Sequence, residues 1–173
     1  MKAILVREYG GPEVMRLEER PAPEVAAGQL LVRVEAAGVN FIDIYQRSGQ
    51  YKVPLPYVMG MEGAGVVEAA GRDAQGLQAG QRVAWTNVPG AYATHALVPA
   101  DKAVPLPPGI DARPAAAVML QGMTAHYLAR STYRLGTGDT CLVHAGAGGV
   151  GLLLTQMAKG AGARVITTVS NEE

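Results

Sequence analysis

The stretch Asp139–Ser170 reads DTCLVHAGAGGVGLLLTQMAKGAGARVITTVS, and it decides the fold of the second part of the chain. Thr140–His144 is a short, mostly apolar run that predicts a buried strand. Ala145–Gly149 is nearly free of side chains and predicts a tight turn. Val150–Lys159 has helical composition, ended by Gly160 and Gly162. Val165–Val169 is β-branched throughout, which predicts a second strand buried on both faces. In the turn, Ala145, Gly148 and Gly151 recur at three-residue intervals, a variant of the dinucleotide-binding glycine fingerprint with alanine in the first place. Small residues there let the chain turn tightly, let the backbone approach a diphosphate and let the helix lie against the strand. Backbone N–H groups of Gly148, Gly149, Val150 and Gly151, at the helix start, then face the anion. A strand-to-helix turn with no ligand has the same composition.

The end of the second strand distinguishes the dinucleotides. An acidic residue there binds the ribose hydroxyl of NAD, whereas NADP needs room for a 2′-phosphate. The position falls near Ser170, a small hydroxyl residue that favours NADP(H). Glu172 and Glu173 follow, and a carboxylate turned into the ribose pocket favours NAD(H) instead.

The 173 residues hold 15 basic and 15 acidic side chains, so no net charge advertises a nucleic-acid or anionic-membrane partner. Hydrophobic residues make up 49%, enough for a core. The apolar runs are far shorter than a membrane span, and MKAILVREYGG has no cleavage site, so it reads as a first strand. The single Cys141 excludes an internal disulfide and a multi-cysteine zinc site. Cytoplasmic residence is the plain reading.

From the start, Lys2–Glu8 and Val14–Glu19 predict two strands around the turn Gly10–Pro12. Gln29–Ala37 alternates, with Val32, Val34 and Ala36 on one face and Leu31, Arg33 and Glu35 on the other. Phe41–Ser48 predicts a short helix, and Tyr51–Met59, with two prolines, an irregular segment. Gly63–Ala70, Gln81–Trp85 and Ala91–Val98 predict further strands. The proline-rich Lys102–Pro108 reads as a domain border. Asp111 can cap a helix over Pro114–Leu120; Gly122 then interrupts, and Met123–Ser131 predicts a second helix. The expected fold is mixed α/β: a small β-barrel or sandwich over residues 1–110, then linking helices and the first βαβ of a Rossmann (doubly wound parallel) domain over residues 111–173. Two strands against roughly six in a doubly wound sheet leave that domain incomplete, so a truncated product, or the N-terminal part of a longer one, is expected.

Taken together, Gly10–Val14 (GGPEV), Gly38–Asp43 (GVNFID), Arg47–Gly49, Gly60–Val67 (GMEGAGVV), Ala79–Val83 (AGQRV), Gly122–Tyr127 (GMTAHY) and His144–Gly151 (HAGAGGVG) resemble the zeta-crystallin-like quinone oxidoreductases. These form the zinc-free branch of the medium-chain dehydrogenase/reductase superfamily. The matching segments occur in the family's order and span the whole length. The resemblance implies a GroES-like catalytic domain, a Rossmann domain, and NADPH-dependent reduction of a quinone or an activated alkene. Zinc-containing members of the superfamily carry Cys where this chain has Asn40 and His where it has Met61. Neither replacement is a good ligand for a tetrahedral N/S site. Alcohol oxidation, which needs the Lewis acid, is then disfavoured, and no metal is expected.

By the same resemblance, Asn40, Phe41, Ile42 and Asp43 lie against the nicotinamide end of the cofactor. Core packing of Phe41 and Ile42, and capping or pairing of Asp43 within the short helix, are equally open. Thr124 and Tyr127 would face the middle of the cofactor or pack helices. Ser170 would approach the adenosine phosphate. Tyr45 and Tyr51 match acceptor-pocket tyrosines, able to stack on a flat quinone or donate a hydrogen bond to its carbonyl. Glu62 reads as structural, His144 as a packed strand end and Cys141 as a small buried hydrophobe. His95 and His126 carry no catalytic signal. Family members usually form homodimers through a far sheet edge that this sequence lacks. An enoyl or alkenal reductase on the same scaffold, and a non-enzymatic fragment unable to hold the cofactor, are the alternatives.

Overall fold

The computed structural model describes residues 1–170 and divides into two compact units, Met1–Met119 and Leu120–Glu173. The first is built on antiparallel strands. β1 (Lys2–Val6) lies between β2 (Met15–Glu19) and β4 (Tyr57–Val58). A five-stranded sheet follows the order β7-β3-β5-β6-β8. Its members are β3 (Gln29–Ala37), β5 (Glu62–Ala70), β6 (Arg82–Thr86), β7 (His95–Pro99) and β8 (Val104–Pro105). Main-chain bonds such as Ile4 N–H to the Tyr92 carbonyl, 2.8 Å, stitch β1 to the segment before β7.

The alternation read in β3 is the alternation of burial. Leu30 and Val32 are fully buried with Val67, Val83, Trp85 and Val98, while Arg33 and Glu35 face water. Each buried aliphatic side chain contributes about 1.5–3 kcal/mol. Trp85 fits because its cross-strand partner is Gly63, where a Cβ would stand 2.6 Å from the indole Cζ2. On the solvent side, Arg33 and Arg82 bridge Glu35, with Glu68 and Asp111 beyond them.

Several boundaries differ from the sequence reading. Tyr51–Met59 is not wholly irregular, because Tyr57 and Val58 pair with Val6 and Leu5. The proline-rich run likewise contributes β8, paired with β6. α2 (Ala112–Tyr127) runs through Gly122 without a break and passes into a π-helical turn at Leu128–Thr132. One interior glycine costs about 1 kcal/mol relative to alanine, and the strong helix formers around it outweigh that. In the first unit, Ala112, Ala115 and Ala116 of α2 pack on Ala64 and Ala84; such small residues permit close approach.

The second unit contains β9 (Thr140–Val143), α3 (Gly149–Gly160) and β10 (Arg164–Thr167), with the two strands parallel. β10 stops at Thr167, two residues short of expectation, because β9 ends at Val143 and offers no further register partner. Nor is it buried on both faces: Ile166 and its cross-strand neighbour Leu142 are exposed, since one helix cannot cover both faces of the pair. His144 is exposed rather than packed, and Cys141 is half-buried. Among the described residues, no helix is long and apolar enough to cross a membrane.

Candidate functional site

The glycine loop stands at the carboxyl end of β9. Ala145 adopts φ 52°, the left-handed region, where a non-glycine residue costs about 1–2 kcal/mol. Its carbonyl accepts the Gly148 N–H at 2.9 Å. A side chain at Gly151 would strike that carbonyl and stand 2.8 Å from Gly146 Cα, so α3 starts directly against the turn. Gly146 has a matching constraint from the other strand: its missing Cβ would lie 2.5 Å from Thr167 Cβ. These glycines make a compact platform out of backbone.

Gly148 occupies the cap position of α3 and brings no capping side chain. The N–H groups of Gly149, Val150 and Gly151 belong to the first turn and have no intrahelical partner. Ala147, Gly148 and Gly149 are exposed. At Gly148 an added Cβ would meet a single neighbour, the Ala145 carbonyl oxygen, at a close 3.2 Å. Donors without an intrahelical partner at the positive end of a twelve-residue helix, with Gly149 exposed, suit an anion. The residues present therefore fit a dinucleotide's diphosphate. A Cβ at Gly149 would collide with the Gln121 side-chain amide, a neighbour that no local pattern announced. Ser170 is exposed three residues beyond β10. Glu172 and Glu173 lie outside the described residues. In α2, the Thr124 hydroxyl donates to the Leu120 carbonyl at 2.7 Å, and Tyr127 is exposed.

The other candidates gather in the first unit on α1 (Phe41–Arg47) and the loop after it. α1 carries two sets of residues. Outward, Phe41 is 74% exposed and Tyr51 is 53% exposed, with Tyr45 between them. The Phe41 and Tyr45 rings stack at 6.4 Å between centroids, and the Tyr45 and Tyr51 rings tilt together at 5.3 Å. Such a row is an adaptable apolar surface with hydroxyl tips. Ile42 is half-buried.

Inward, Asn40 and Asp43 are buried. The Asp43 carboxylate accepts the Asn40 N–H at 2.9 Å, the returning half of a capping box, and the Tyr92 hydroxyl at 2.7 Å. The Asn40 amide donates to the Glu62 carboxylate at 2.8 Å. Asp43 Oδ1 and the Tyr57 hydroxyl are buried without a hydrogen bond among the described residues. Burial, then the bond to Asp43, pushes the Tyr92 hydroxyl pKa well above its ordinary value. Burial does the same at Tyr57, helped by the Asp43 charge. Both remain proton donors at neutral pH. Asn40 and Asp43 thus have their side chains committed inside the protein. Tyr92, 49 residues from Asp43, was not among the sequence candidates.

Met61 accepts a long contact from the Gln46 amide at 3.7 Å. Among the described residues, no three of His, Cys, Asp and Glu gather closely enough to hold a metal ion.

Residues 26–108 match the alcohol dehydrogenase GroES-like domain. The chain is 48% identical to a quinone oxidoreductase of Pseudomonas aeruginosa over 99% of its own length and 54% of the relative. It is 40% identical to a 2-haloacrylate reductase of Burkholderia sp., covering 99% of this chain and 54% of that one. The solved quinone oxidoreductase of Escherichia coli complexed with NADPH superposes with a TM-score of 0.96 at 41% identity, over 99% of this chain and 53% of that one. The chain spans about half the length of these relatives.

Proposed function

We infer, from the premise that this chain belongs to the quinone oxidoreductases of the medium-chain dehydrogenase/reductase superfamily, that it serves NADPH-dependent reduction of a quinone without zinc. The observation that carries the reading is the uncapped, side-chain-free start of α3 at the carboxyl end of β9. Ligands of open α/β sheets bind at that end of the strands. Residues 1–110 are the catalytic domain, and residues 111–173 the linking helices and first βαβ of the NADP-binding domain. Both act in the cytoplasm.

The cofactor supplies the hydride; the protein supplies binding, orientation and a suitable field. Gly148, Gly149, Val150 and Gly151 receive the diphosphate on main-chain amides. Ser170 takes the adenosine phosphate end, and its small hydroxyl leaves room for a 2′-phosphate. Thr124 and Tyr127 line the middle. Phe41 and Ile42 bound the nicotinamide end, and Asn40 and Asp43 shape it by fixing the start of α1. Tyr45 and Tyr51 receive the planar acceptor, and a tyrosine hydroxyl donates to its carbonyl oxygen as negative charge develops. The donor set supports zinc independence: Asn40 is an amide already bonded to Glu62, and Met61 is a thioether.

An alkene is the second acceptor class, favoured by the likeness to a 2-haloacrylate reductase. Pocket shape, rather than the cofactor loop, distinguishes the two.

The test is a titration of the purified protein with NADPH and NADH, read as a rise in melting temperature. Turnover is then followed as loss of the reduced nicotinamide's absorbance with a benzoquinone or an α,β-unsaturated acid. NADPH is expected to stabilise more than NADH, and the quinone to be consumed faster. A protein that neither cofactor stabilises and no acceptor oxidises leaves only the fold.

A further inference from the structure

The geometry points to Thr168 as the positioning residue that holds the glycine loop in its anion-receiving shape, an inference that rests on the cofactor reading above. Thr168 is the residue after β10. Its N–H donates to the Val143 carbonyl at 3.1 Å, and its own carbonyl accepts the Gly146 N–H at 2.9 Å. Its hydroxyl oxygen lies 3.3 Å from the Ala145 N–H and 3.1 Å from His144 Nδ1. One residue is therefore bonded to each of Val143, His144, Ala145 and Gly146.

The two main-chain bonds are open to any residue at this place. The two hydroxyl contacts are not. A hydroxyl has one proton and two acceptor sites. The Ala145 N–H occupies one acceptor site, and the hydroxyl meets His144 Nδ1 with its remaining capacity, a proton and a second acceptor site. The pair of contacts clamps both sides of the peptide that leads into Ala145.

That peptide matters because Ala145 is the strained residue of the loop, at φ 52°. Such a conformation persists only where its surroundings over-determine it. The Ala145 carbonyl in turn accepts Gly148 N–H and abuts Gly151. Rotation at Ala145 consequently displaces the first turn of α3, whose amides receive the diphosphate. Thr168 acts through Ala145 and touches no ligand in this role.

Thr168→Val keeps the side-chain shape and both main-chain bonds while deleting the hydroxyl, and Thr168→Ser restores it. The dissociation constant for NADPH is expected to rise about tenfold in Thr168→Val, the equivalent of one net hydrogen bond. It should return to within about twofold of the parent in Thr168→Ser. Adenosine 2′-monophosphate, which lacks the diphosphate, should bind parent and valine variant alike. Without ligand, nitrogen-15 NMR of the parent should show His144 Nδ1 engaged in a hydrogen bond. Thr168→Val should lose that hydrogen bond and exchange the Ala145 amide faster. Unchanged NADPH affinity with unchanged Ala145 exchange overturns the inference, as does an equal loss for adenosine 2′-monophosphate. A parent that binds no NADPH overturns the cofactor reading alone, since the His144 and Ala145 measurements proceed without it.

Discussion

The Tyr92 hydroxyl donates to the Asp43 carboxylate at 2.7 Å, tying the segment before β7 to the first turn of α1. Asp43 is only 3% exposed, and one of its oxygens is already without a partner among the described residues. This bond therefore bears more of the anion's solvation than a surface contact does. Through it, the short helix that presents Phe41 and Tyr45 is anchored to the body of its unit.

Tyr92→Phe removes the donor and leaves the ring. Among the described residues the buried carboxylate then keeps only the Asn40 N–H. A loss of about 1.5–3 kcal/mol is expected, the range for a hydrogen bond to a charged group. Urea denaturation with an unchanged m-value measures it. A variant as stable as the parent would mean that water replaces the phenol.

Tyr92 and Tyr57 set an alkaline limit. Both have pKa values raised from 10.0 in the folded state. Above about pH 10 the unfolded chain loses these protons while the folded chain keeps them. The unfolded state binds fewer protons, so stability falls as pH rises. Stability should be insensitive to these groups from pH 7 to about 9 and decline beyond it. Tyr92→Phe should flatten that decline, as measured by denaturation at a series of pH values.

Gly148 and Gly151 make opposite demands. Gly148→Ala meets nothing closer than 3.2 Å at an ordinary φ of −76°, so it should cost less than about 1 kcal/mol of stability. Its new methyl group stands where the diphosphate approaches, and NADPH affinity should fall about tenfold or more. Gly151→Ala forces its methyl into the Ala145–Gly146 backbone and should lose about 1–3 kcal/mol along with binding. Thermal melts with and without NADPH separate the two outcomes.

Tyr51 projects its ring against Tyr45 with 53% of its surface exposed. Tyr51→Phe should leave stability within about 0.5 kcal/mol while lowering turnover with benzoquinone acceptors. NADPH affinity should not move. Equal kinetics in the two proteins would remove the hydroxyl from the reaction and leave the ring as a packing surface.

Much of this was legible in the sequence because it is local. The small residues at 145, 148 and 151 announced a tight turn, and Gly146, Gly148 and Gly151 have the close neighbours that such a turn requires. Alternation in Gln29–Ala37 gave the buried face of β3. The continuous α2 was not legible, because a glycine's local cost had to be weighed against its whole surroundings. Tyr92, Gln121 and Thr168 were not legible as partners either. Each reaches its target across tens of residues, and no periodicity in the chain encodes such a meeting.

Residue type and spacing by themselves determined that a strand, a bare turn and a helix follow one another from Thr140, and that a short helix starts near Phe41. Both follow from steric freedom and hydrogen-bond reach within a few residues. Tertiary structure alone decided that Asn40 and Asp43 turn inward to Glu62 and Tyr92 while Phe41 and Tyr51 stay outside, with Tyr45 half-buried between them. It also decided that Thr168 closes on the loop. The physical reason is that a polar side chain takes its partner wherever the folded chain brings one within 3 Å or so, and that place is set by the packing of distant segments.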